Sequence, residues 1–451
     1  MLVKSFKAKS VYGYLDFDIK FNKDVSFLIG GNGSGKTTAL KLMNALLFPK
    51  LHELLLIPFS EAELLISKKN KEIKISAALN RESIELNVST VNDSLLLPIT
   101  FFEDINYYAS GSDRFQKAVD DINRNFTDHP TYKEIIALDS PVFLGLDRKR
   151  ENTTVQDEKY YIERERYLRI SKKYAAAPKR MFDGSIGASL MDTELLVQTA
   201  YRRIRELESK YSSRLRDKIL MSSFKYTSVN SSTISTLEPD VKKWKGDEKQ
   251  GLLERKKEIQ EAVSNIGGNE SSLSKQVDMF FEEITRLFEE LEETSEKFSL
   301  EWLLNKAQIE RMSDIVDIID EHKSKVDQLY RPIDKFLSTV NSFFKDSRKK
   351  LKIDAVGGIL VERPSGSDCS IDGLSSGERQ LVVIFAHALF NSNTNAKTAF
   401  IIDEPELSLH LGWQEKFAET IFSISPDTQF ILATHSPEIV GSHKEKVIKC
   451  R

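Results

Sequence analysis

The chain has 451 residues, of which 40% are hydrophobic and 29% are charged, and its formal net charge is −3. This length predicts two or three domains, and the composition is typical of a globular protein with a large core. Only two cysteines occur, which excludes a disulfide framework and a thiolate metal site. No run of about 18 apolar residues occurs, and the first residues lack the apolar stretch of a signal peptide. We therefore expect a cytoplasmic protein without a membrane segment.

The first 50 residues predict two strands, a glycine-rich loop and a helix. Residues 15–21 alternate between apolar and polar, and Val25–Ile29 is a short apolar run that ends at a glycine. Beyond the loop, apolar residues recur at helical spacing until Pro49. Alternating segments at 71–77 and at Ser83–Val88 then predict antiparallel strands, and a further strand is expected at 141–144.

From about residue 150 to residue 345, helical periodicity replaces the strand signals. Apolar residues recur three and four positions apart in three stretches, at 196–215, 277–291 and 315–343. Pro332 lies inside the last stretch, where it should kink or restart the helix. The pattern predicts an inserted bundle of antiparallel helices with short coiled-coil seams.

After residue 350 the α/β character returns. Strands are predicted at 353–360, 399–402 and 430–433, and a helix at 379–390. The expected fold class is therefore α/β, with a nucleotide-binding domain split by a helical subdomain. Its expected parts are residues 1–150, the inserted helical subdomain 151–345, and residues 346–451.

The run 30–37 reads Gly-Gly-Asn-Gly-Ser-Gly-Lys-Thr and lies between a predicted strand and a predicted helix. Glycines let the backbone curl so that N–H groups point at phosphates, and the helix that begins there adds its positive dipole end. A lysine at this position reaches the β- and γ-phosphates, and the following hydroxyl binds Mg²⁺. A chance glycine loop is the alternative, which the strand–loop–helix order disfavours. The residues predicted to bind ATP here are Gly30, Asn32, Gly33, Ser34, Gly35, Lys36, Thr37 and Thr38, with Thr37 also a Mg²⁺ ligand.

Two carboxylates follow the apolar strand at 399–402. Ligands of α/β sheets bind at the carboxyl ends of the strands, where Asp403 and Glu404 are expected to lie. We assign Asp403 to the Mg²⁺ shell and Glu404 to polarising the attacking water. Taken alone, the two acids would also fit an exposed turn after a strand.

Residues 374–380 read Leu-Ser-Ser-Gly-Glu-Arg-Gln. By its residues alone this segment is a helix start with Ser375 or Ser376 as the N-cap. It also resembles the signature motif of ABC-type ATPases, in the variant typical of relatives of recombination and chromosome-structure ATPases. The resemblance implies that Ser376, Gly377 and Glu378 engage the γ-phosphate held by the phosphate loop of another subunit.

Two further segments fit the same resemblance. Thr-His-Ser-Pro follows the apolar strand at 430–433, which places His435 like the switch histidine that senses γ-phosphate. A purely structural histidine is the alternative. Ser-Leu-His at 408–410 resembles the loop that passes between the two ATP sites of an ABC dimer.

Together these motifs resemble the ABC-type ATPases of the AAA15 and overcoming-lysogenization-defect group, over about residues 1–50 and 350–445. The opening segments around Phe6 and Gly13 and the run 141–145 look most like the AriA-type ATPases of PARIS anti-phage systems. That resemblance implies a homo-oligomeric ATPase that restrains a separate toxin nuclease and releases it on recognising a phage protein. The short segment after His435 leaves no room for the nuclease domain of overcoming-lysogenization-defect relatives, so we expect no nuclease activity in this chain.

Charge is unevenly distributed in the predicted insert. Residues 148–180 contain eleven basic and five acidic residues, and residues 282–296 contain seven glutamates. Solvated helix faces explain such runs in most proteins. A basic patch could also hold DNA, so direct DNA binding is compatible with the sequence but is not indicated by it. Two alternatives stay open: a recombination-type DNA-repair ATPase, with salt-sensitive DNA binding, and a transporter nucleotide-binding subunit, which the long insert disfavours.

Overall fold

The structure is a computed structural model that describes residues 1–69, 71–102, 113–138, 141–145, 185–223, scattered positions between 255 and 289, 300–390 and 399–450. Its contacts divide the chain into two compact units. The larger unit contains Met1–Tyr201 and Pro332–Arg451, and the smaller contains Arg202–Arg331. The domain boundaries predicted at 150 and 345 stay predictions, and the first of them lies among residues 146–184, outside the described part. Among the described residues no helix combines the length and apolarity needed to cross a membrane.

The larger unit begins with an antiparallel sheet of six strands in the order β2-β1-β4-β5-β6-β7. Apolar and polar residues alternate along its strands, so one face is buried and the other exposed. The predicted antiparallel strands at 71–77 and Ser83–Val88 are thereby confirmed. The strands are β1 (Leu2–Val11), β2 (Leu15–Lys20), β4 (Glu61–Lys68), β5 (Lys71–Leu79), β6 (Ser83–Val88) and β7 (Leu95–Pro98).

A second sheet has five parallel strands in the order β14-β3-β13-β12-β8. Its central strands β12 and β13 are buried along their whole length and consist mostly of apolar residues, as strands covered on both faces do. The strands predicted at 399–402, 430–433 and 141–144 are all present. The strands are β3 (Val25–Ile29), β8 (Val142–Leu144), β12 (Ala399–Asp403), β13 (Gln429–Ala433) and β14 (Val447–Lys449).

Helices cover the parallel sheet and contribute to its core. One continuous hydrophobic core joins both sheets to α1, whose residues Leu40, Leu42 and Met43 are fully buried. An aromatic cluster, which includes Phe385 stacked on Phe417 at 5.9 Å, packs the later helices together. The helices are α1 (Lys36–Leu47), α2 (Leu51–Leu56), α3 (Asp113–Phe126), α4 (Pro130–Ile136), α7 (Ser376–Phe390), α8 (Leu411–Ile424) and α9 (Pro437–Val440).

Two long helices, α5 (Ser185–Ser223) and α6 (Leu300–Phe343), each run through both units. The apolar stripes predicted at 196–215 and 315–343 are buried or half-buried, which confirms the helical periodicity. The stripe predicted at 277–291 lies largely outside the described residues. The expected restart at Pro332 is wrong, because α6 continues through this residue. Its ring removes one backbone donor, and the packing of α6 in the larger unit compensates for that loss.

The strand predicted at 353–360 is instead a tight hairpin within a small sheet formed by β9 (Lys350–Ile353), β10 (Ile359–Glu362) and β11 (Asp368–Ser370). The Asp354 carboxylate accepts hydrogen bonds from the backbone N–H groups of Val356, at 2.9 Å, and Gly358, at 2.7 Å. Gly357 adopts the left-handed conformation with φ 91°. These contacts turn the chain in the middle of what its apolar pattern alone makes a single strand.

Candidate nucleotide site

The loop between β3 and α1 needs glycine at positions where no side chain fits. Gly33 and Gly35 have φ near +80°, in the left-handed region that favours glycine. A Cβ on Gly35 would lie 2.8 Å from atoms of Leu15 and Phe17, and one on Gly30 would lie 2.8 Å from the Cys450 carbonyl oxygen. The loop is therefore pressed against β2 and against the residue that follows β14. The close approach leaves its backbone facing the carboxyl edge of the parallel sheet.

The donors of this loop suit a bound phosphate chain. Gly35 is the N-cap of α1 and provides no side-chain cap, and the first turn of α1 carries no acidic residue. The N–H groups of Lys36, Thr37 and Thr38 are therefore left without intrahelical acceptors. Ser34 Oγ is buried without a hydrogen-bond partner. A helix start with free donors, a glycine cradle and an orphaned hydroxyl together fit an anionic ligand such as a triphosphate.

Lys36 lies against the phosphate loop. Its ammonium donates hydrogen bonds to the carbonyl oxygens of Gly30, at 2.9 Å, and Gly31, at 3.3 Å. The side chain is 5% exposed, so the loop shields a positive charge at the centre of the cradle. Asn32, by contrast, lies exposed in the loop. A buried ammonium held only by carbonyl oxygens gains a stronger partner when an anion enters.

Cys450 lies beside the same loop, and its backbone N–H donates to the Ile29 carbonyl oxygen at 2.8 Å. Burial raises the pKa of its thiol to about 11, and the opposing effect of the positive charge on Lys36 is smaller. The thiol is therefore protonated at neutral pH. A protonated thiol is a poor nucleophile.

The two predicted carboxylates lie at the end of β12. Asp403 is the last residue of β12, pairs with Ala433 across to β13, and is 1% exposed. Glu404 is half-buried and has a φ of 48°, and its N–H donates to the Ala433 carbonyl oxygen at 2.8 Å. The carboxylate of Asp403 and the hydroxyl of Thr37 are the hard oxygen donors that Mg²⁺ prefers. The donor set therefore fits the predicted metal.

The end of β13 carries the predicted switch histidine between the two other parts of the site. β13 pairs with β3 on one side and with β12 on the other, so the loops after all three strands share one edge of the sheet. The Thr434 N–H donates to the Leu28 carbonyl oxygen at 3.0 Å. His435 follows with an exposed side chain. The structure thus brings the phosphate loop, Asp403 and His435 to the same edge.

Glu406 is a residue of this site that sequence reasoning missed. Its two carboxylate oxygens accept hydrogen bonds from the Thr434 hydroxyl, at 2.8 Å, and from the His435 backbone N–H, at 2.6 Å. The signal in the sequence is a second acid two positions after Glu404. Its role could not be assigned without the adjacency of β12 and β13, which no local pattern predicts.

The predicted signature residues form the start of α7. The Glu378 carboxylate accepts from the Ser375 N–H at 2.7 Å, and the Glu378 N–H donates back to Ser375 Oγ at 3.4 Å, which makes a capping box. Lys349 donates to the same carboxylate at 2.8 Å. Burial alone would raise the pKa of Glu378, but the hydrogen bonds from Lys349 and the Ser375 backbone lower it. The Glu378 side chain is thus committed to the helix start, while Ser376 is exposed.

The start of α7 is pressed against the loop that follows β12. A Cβ on Gly377 would lie 2.4 Å from the Ser408 carbonyl oxygen, so only glycine permits this approach. The Gln380 side-chain amide donates to the Pro405 carbonyl oxygen at 2.9 Å. Ser408 itself has a φ of 63°, and His410 at the end of the loop is exposed. The signature residues are therefore placed by contacts with the Asp-Glu loop.

Comparisons with known proteins agree with this geometry. The family described as "AAA_15: AAA ATPase domain" matches residues 1–440. A stretch of 94 residues is 31% identical to the "Retron Vc95 probable ATPase" of Vibrio cholerae serotype O1 biovar El Tor, and covers 19% of this chain. The match spans only 18% of that relative's length.

Heads of SMC proteins are among the solved structures that are similar to this chain. An Smc head domain with an extended coiled coil from Pyrococcus furiosus, bound to the C-terminal domain of ScpA, is 14% identical with a TM-score of 0.42, over 99% of this chain and 93% of that one. The SMC head domain from Thermotoga maritima is 12% identical with a TM-score of 0.37, over 98% and 91% of the two chains.

The family match spans nearly the whole chain, including the phosphate loop, the Asp-Glu strand and the switch histidine. The architecture is a mixed α/β ABC-type nucleotide-binding domain with a helical insertion, as the sequence predicts. This family implies ATP binding. The chain therefore belongs to the AAA_15 family of AAA ATPase domains and is an ATPase of the ABC-like type.

Proposed function

We propose that this chain is an ATP-driven switch whose ATP sites are completed between subunits of a homo-oligomer. The observation that carries the proposal is the convergence of three loops at one sheet edge, after β3, β12 and β13. The phosphate loop would hold the nucleotide through its backbone donors and Lys36. Ser376 and Gly377 would contact the γ-phosphate held by another subunit, because Ser376 is exposed and both residues lie in the first turn of α7, which provides further donors.

Each of the other predicted side chains of the site would have one role in the hydrolysis of ATP. Glu404 would accept a hydrogen bond from the attacking water and orient it, and His435 would contact the γ-phosphate. Thr37 and Asp403 would hold Mg²⁺, which supplies charge neutralisation on the phosphates when bound. Nucleotide binding would close two subunits together, and hydrolysis would let them separate. The free energy released would change the state of a partner protein.

The biological role that we propose is that of a sensor in anti-phage defence. It rests on the resemblance of the motifs to AriA-type ATPases of PARIS systems and on the partial match to a retron ATPase. On this proposal a phage-encoded trigger protein changes the ATP-dependent assembly. That change releases a separate effector, a toxin nuclease.

Replacing Glu404 tests the proposed chemistry. We expect Glu404→Gln to bind ATP like the wild type but to lose turnover by about 10²–10⁴-fold, because the amide cannot accept the proton of the attacking water. The closed assembly should accumulate with ATP. Phosphate release measures the turnover, equilibrium binding of a fluorescent ATP analogue measures the affinity, and light scattering after size exclusion measures the assembly.

The matched control is Glu415→Gln, which makes the same chemical change at an exposed position on α8. It should hydrolyse ATP at the wild-type rate. If Glu404→Gln hydrolysed ATP as fast as Glu415→Gln, the assignment of Glu404 would be overturned. If the protein with ATP formed no species larger than the monomer, this result would count against an ATP site shared between subunits.

A further inference from the structure

Glu406 joins the ends of two neighbouring strands of the parallel sheet. It lies in the loop after β12, whereas its two hydrogen-bond partners, Thr434 and His435, directly follow β13. One carboxylate oxygen accepts from the Thr434 hydroxyl and the other from the His435 backbone N–H. Both oxygens are thus engaged in holding the turn that carries the histidine.

Thr434 extends this network to the helix that follows. Its side chain is completely buried, and its hydroxyl oxygen also accepts from the Ser436 N–H at 3.0 Å. Ser436 in turn caps α9, where its Oγ accepts from the Ile439 N–H at 3.3 Å. The backbone on both sides of His435 is therefore fixed, while the imidazole is exposed. This combination keeps a side chain at one place and leaves its ring accessible to a ligand.

The loop that carries Glu406 is itself held from the other side. The buried amide of Gln380 donates to the Pro405 carbonyl oxygen, and Gly377 packs against Ser408. A carboxylate can position another group only when its own backbone is fixed. These two contacts from α7 fix the backbone at Pro405 and at Ser408, on either side of Glu406.

We propose that Glu406 is a positioning residue that fixes the Thr434–His435 turn so that the imidazole can contact the γ-phosphate. The inference rests on the proposed function, which places the γ-phosphate at this edge of the sheet. Glu406 acts through His435 and contacts neither the nucleotide nor the attacking water. Its role is thereby distinct from that of Glu404, although the two glutamates are only two positions apart.

The first test compares turnover with affinity in Glu406→Gln. The amide keeps the size of the side chain but replaces one acceptor oxygen with a donor, so the side chain can no longer accept from both the His435 N–H and the Thr434 hydroxyl. We expect kcat to fall on the order of 10²-fold, since small displacements of a group in the site have effects of this size. The KM and the equilibrium affinity for ATP should stay close to wild type, because the phosphate loop is unchanged.

Thr434 offers a matched pair of variants for the same turn. Thr434→Val keeps the shape but removes the hydroxyl, so we expect a loss of kcat in the same direction as in Glu406→Gln. Thr434→Ser keeps the hydroxyl, so it should restore most of the turnover lost in Thr434→Val. Equal turnover in the valine and serine variants would overturn the proposal.

A double-mutant cycle with His435→Ala separates positioning from a merely structural role. If Glu406 acts through the histidine, Glu406→Gln should lower kcat far less in the His435→Ala background than in the wild type. An equal loss in both backgrounds would overturn the proposal, as would a variant that loses ATP affinity together with thermal stability. The exposed Glu415→Gln variant controls for the chemical change itself.

The results for Glu404→Gln and Glu406→Gln distinguish a failure of the proposed function from a failure of the role of Glu406. Turnover that persists in Glu404→Gln would count against the proposed function. Turnover lost in Glu404→Gln but fully retained in Glu406→Gln would overturn only the role of Glu406.

Discussion

At the scale of single residues, Gly377 matters because its missing side chain permits a close contact. The signature turn and the loop after β12 approach so closely that a Cβ on Gly377 would lie 2.4 Å from the Ser408 carbonyl oxygen. The contacting atom is backbone, so it cannot move aside without shifting the loop. Glycine at this position therefore determines how near the start of α7 lies to Ser408.

We expect Gly377→Ala to lower the free energy of unfolding by about 1–3 kcal/mol, the usual cost of forcing extra volume into a packed site. Helix propensity alone predicts the opposite sign, because alanine favours helices over glycine. Urea unfolding followed by circular dichroism measures the change.

The control for this variant is Gly412→Ala on α8, where the nearest atoms, those of His410, would lie at 3.7 Å, an ordinary contact distance. This substitution should be neutral or should stabilise the protein by roughly 0.5–1 kcal/mol. Equal stability of the two variants would show that the close contact at Gly377 does not constrain the loop.

The sequence predicted the residues of the site whose roles depend on short local patterns. Lys36, Asp403, Glu404 and His435 each lie at the end of a strand or shortly after one, so their placement at one sheet edge follows from the parallel order of the strands. Glu406 could not be assigned in this way. Its partners directly follow the neighbouring strand β13, 28 and 29 positions later in the sequence, and only the pairing of β12 with β13 brings them close to Glu406.

At the scale of elements, the start of α7 depends on a capping box and on a partly buried ion pair between Lys349 and Glu378. The Glu378 carboxylate accepts hydrogen bonds from the Ser375 N–H and from the Lys349 ammonium. The residue lies in the first turn of α7 and is 2% exposed. The hydrogen bonds hold the pKa of its carboxyl below its ordinary value, although burial acts in the opposite direction. A lowered pKa in the folded state means that the ionised form stabilises the fold.

We expect Glu378→Gln to lower the free energy of unfolding by about 2 kcal/mol at neutral pH, because it removes a buried charged acceptor. The contribution is fully present above the ordinary glutamate pKa of about 4.3 and is lost as the pH falls through the lowered folded-state value. The wild type and the variant should therefore converge in acid.

Urea unfolding of the wild type and the variant between about pH 7 and about pH 3.5 measures this difference. The exposed Glu419→Gln on α8 is the matched control and should show only a small difference throughout. A gap that grows on acidification would contradict the sign of the linkage.

Two elements differ from the sequence prediction for reasons that lie in particular residues. The hairpin of β9 and β10 forms because the Asp354 carboxylate accepts hydrogen bonds from N–H groups of the turn. Asp354 is a turn signal in the sequence, but the apolar residues on either side of it predict one continuous strand. Helix α6 continues through Pro332 because the surrounding packing outweighs one missing hydrogen bond. The long, strongly periodic helices α5 and α6 could be predicted, since their patterns extend over many turns.

At the scale of the whole molecule, one alternative to the switch is a DNA-repair ATPase. The net charge of −3 gives no general attraction to DNA. On the switch proposal we expect weak binding of duplex DNA that ATP does not strengthen. Fluorescence anisotropy of a labelled duplex, titrated at about 50 and about 200 mM salt, measures it. Tight binding at low salt that weakens by about 10³-fold or more over this range would favour the repair alternative.

The order of strands in the parallel sheet has a consequence for the newly made chain. Both neighbours of β3, which are β13 and β14, come from the last part of the sequence. Residue 29 ends β3 and residue 433 ends β13, so at about 5–20 residues per second the ribosome needs roughly 20–80 s to supply the first partner. Until then the phosphate loop has no sheet edge to extend from. We therefore expect the ATP site to form only late in synthesis, and we expect a chain that ends before residue 433 to lack it.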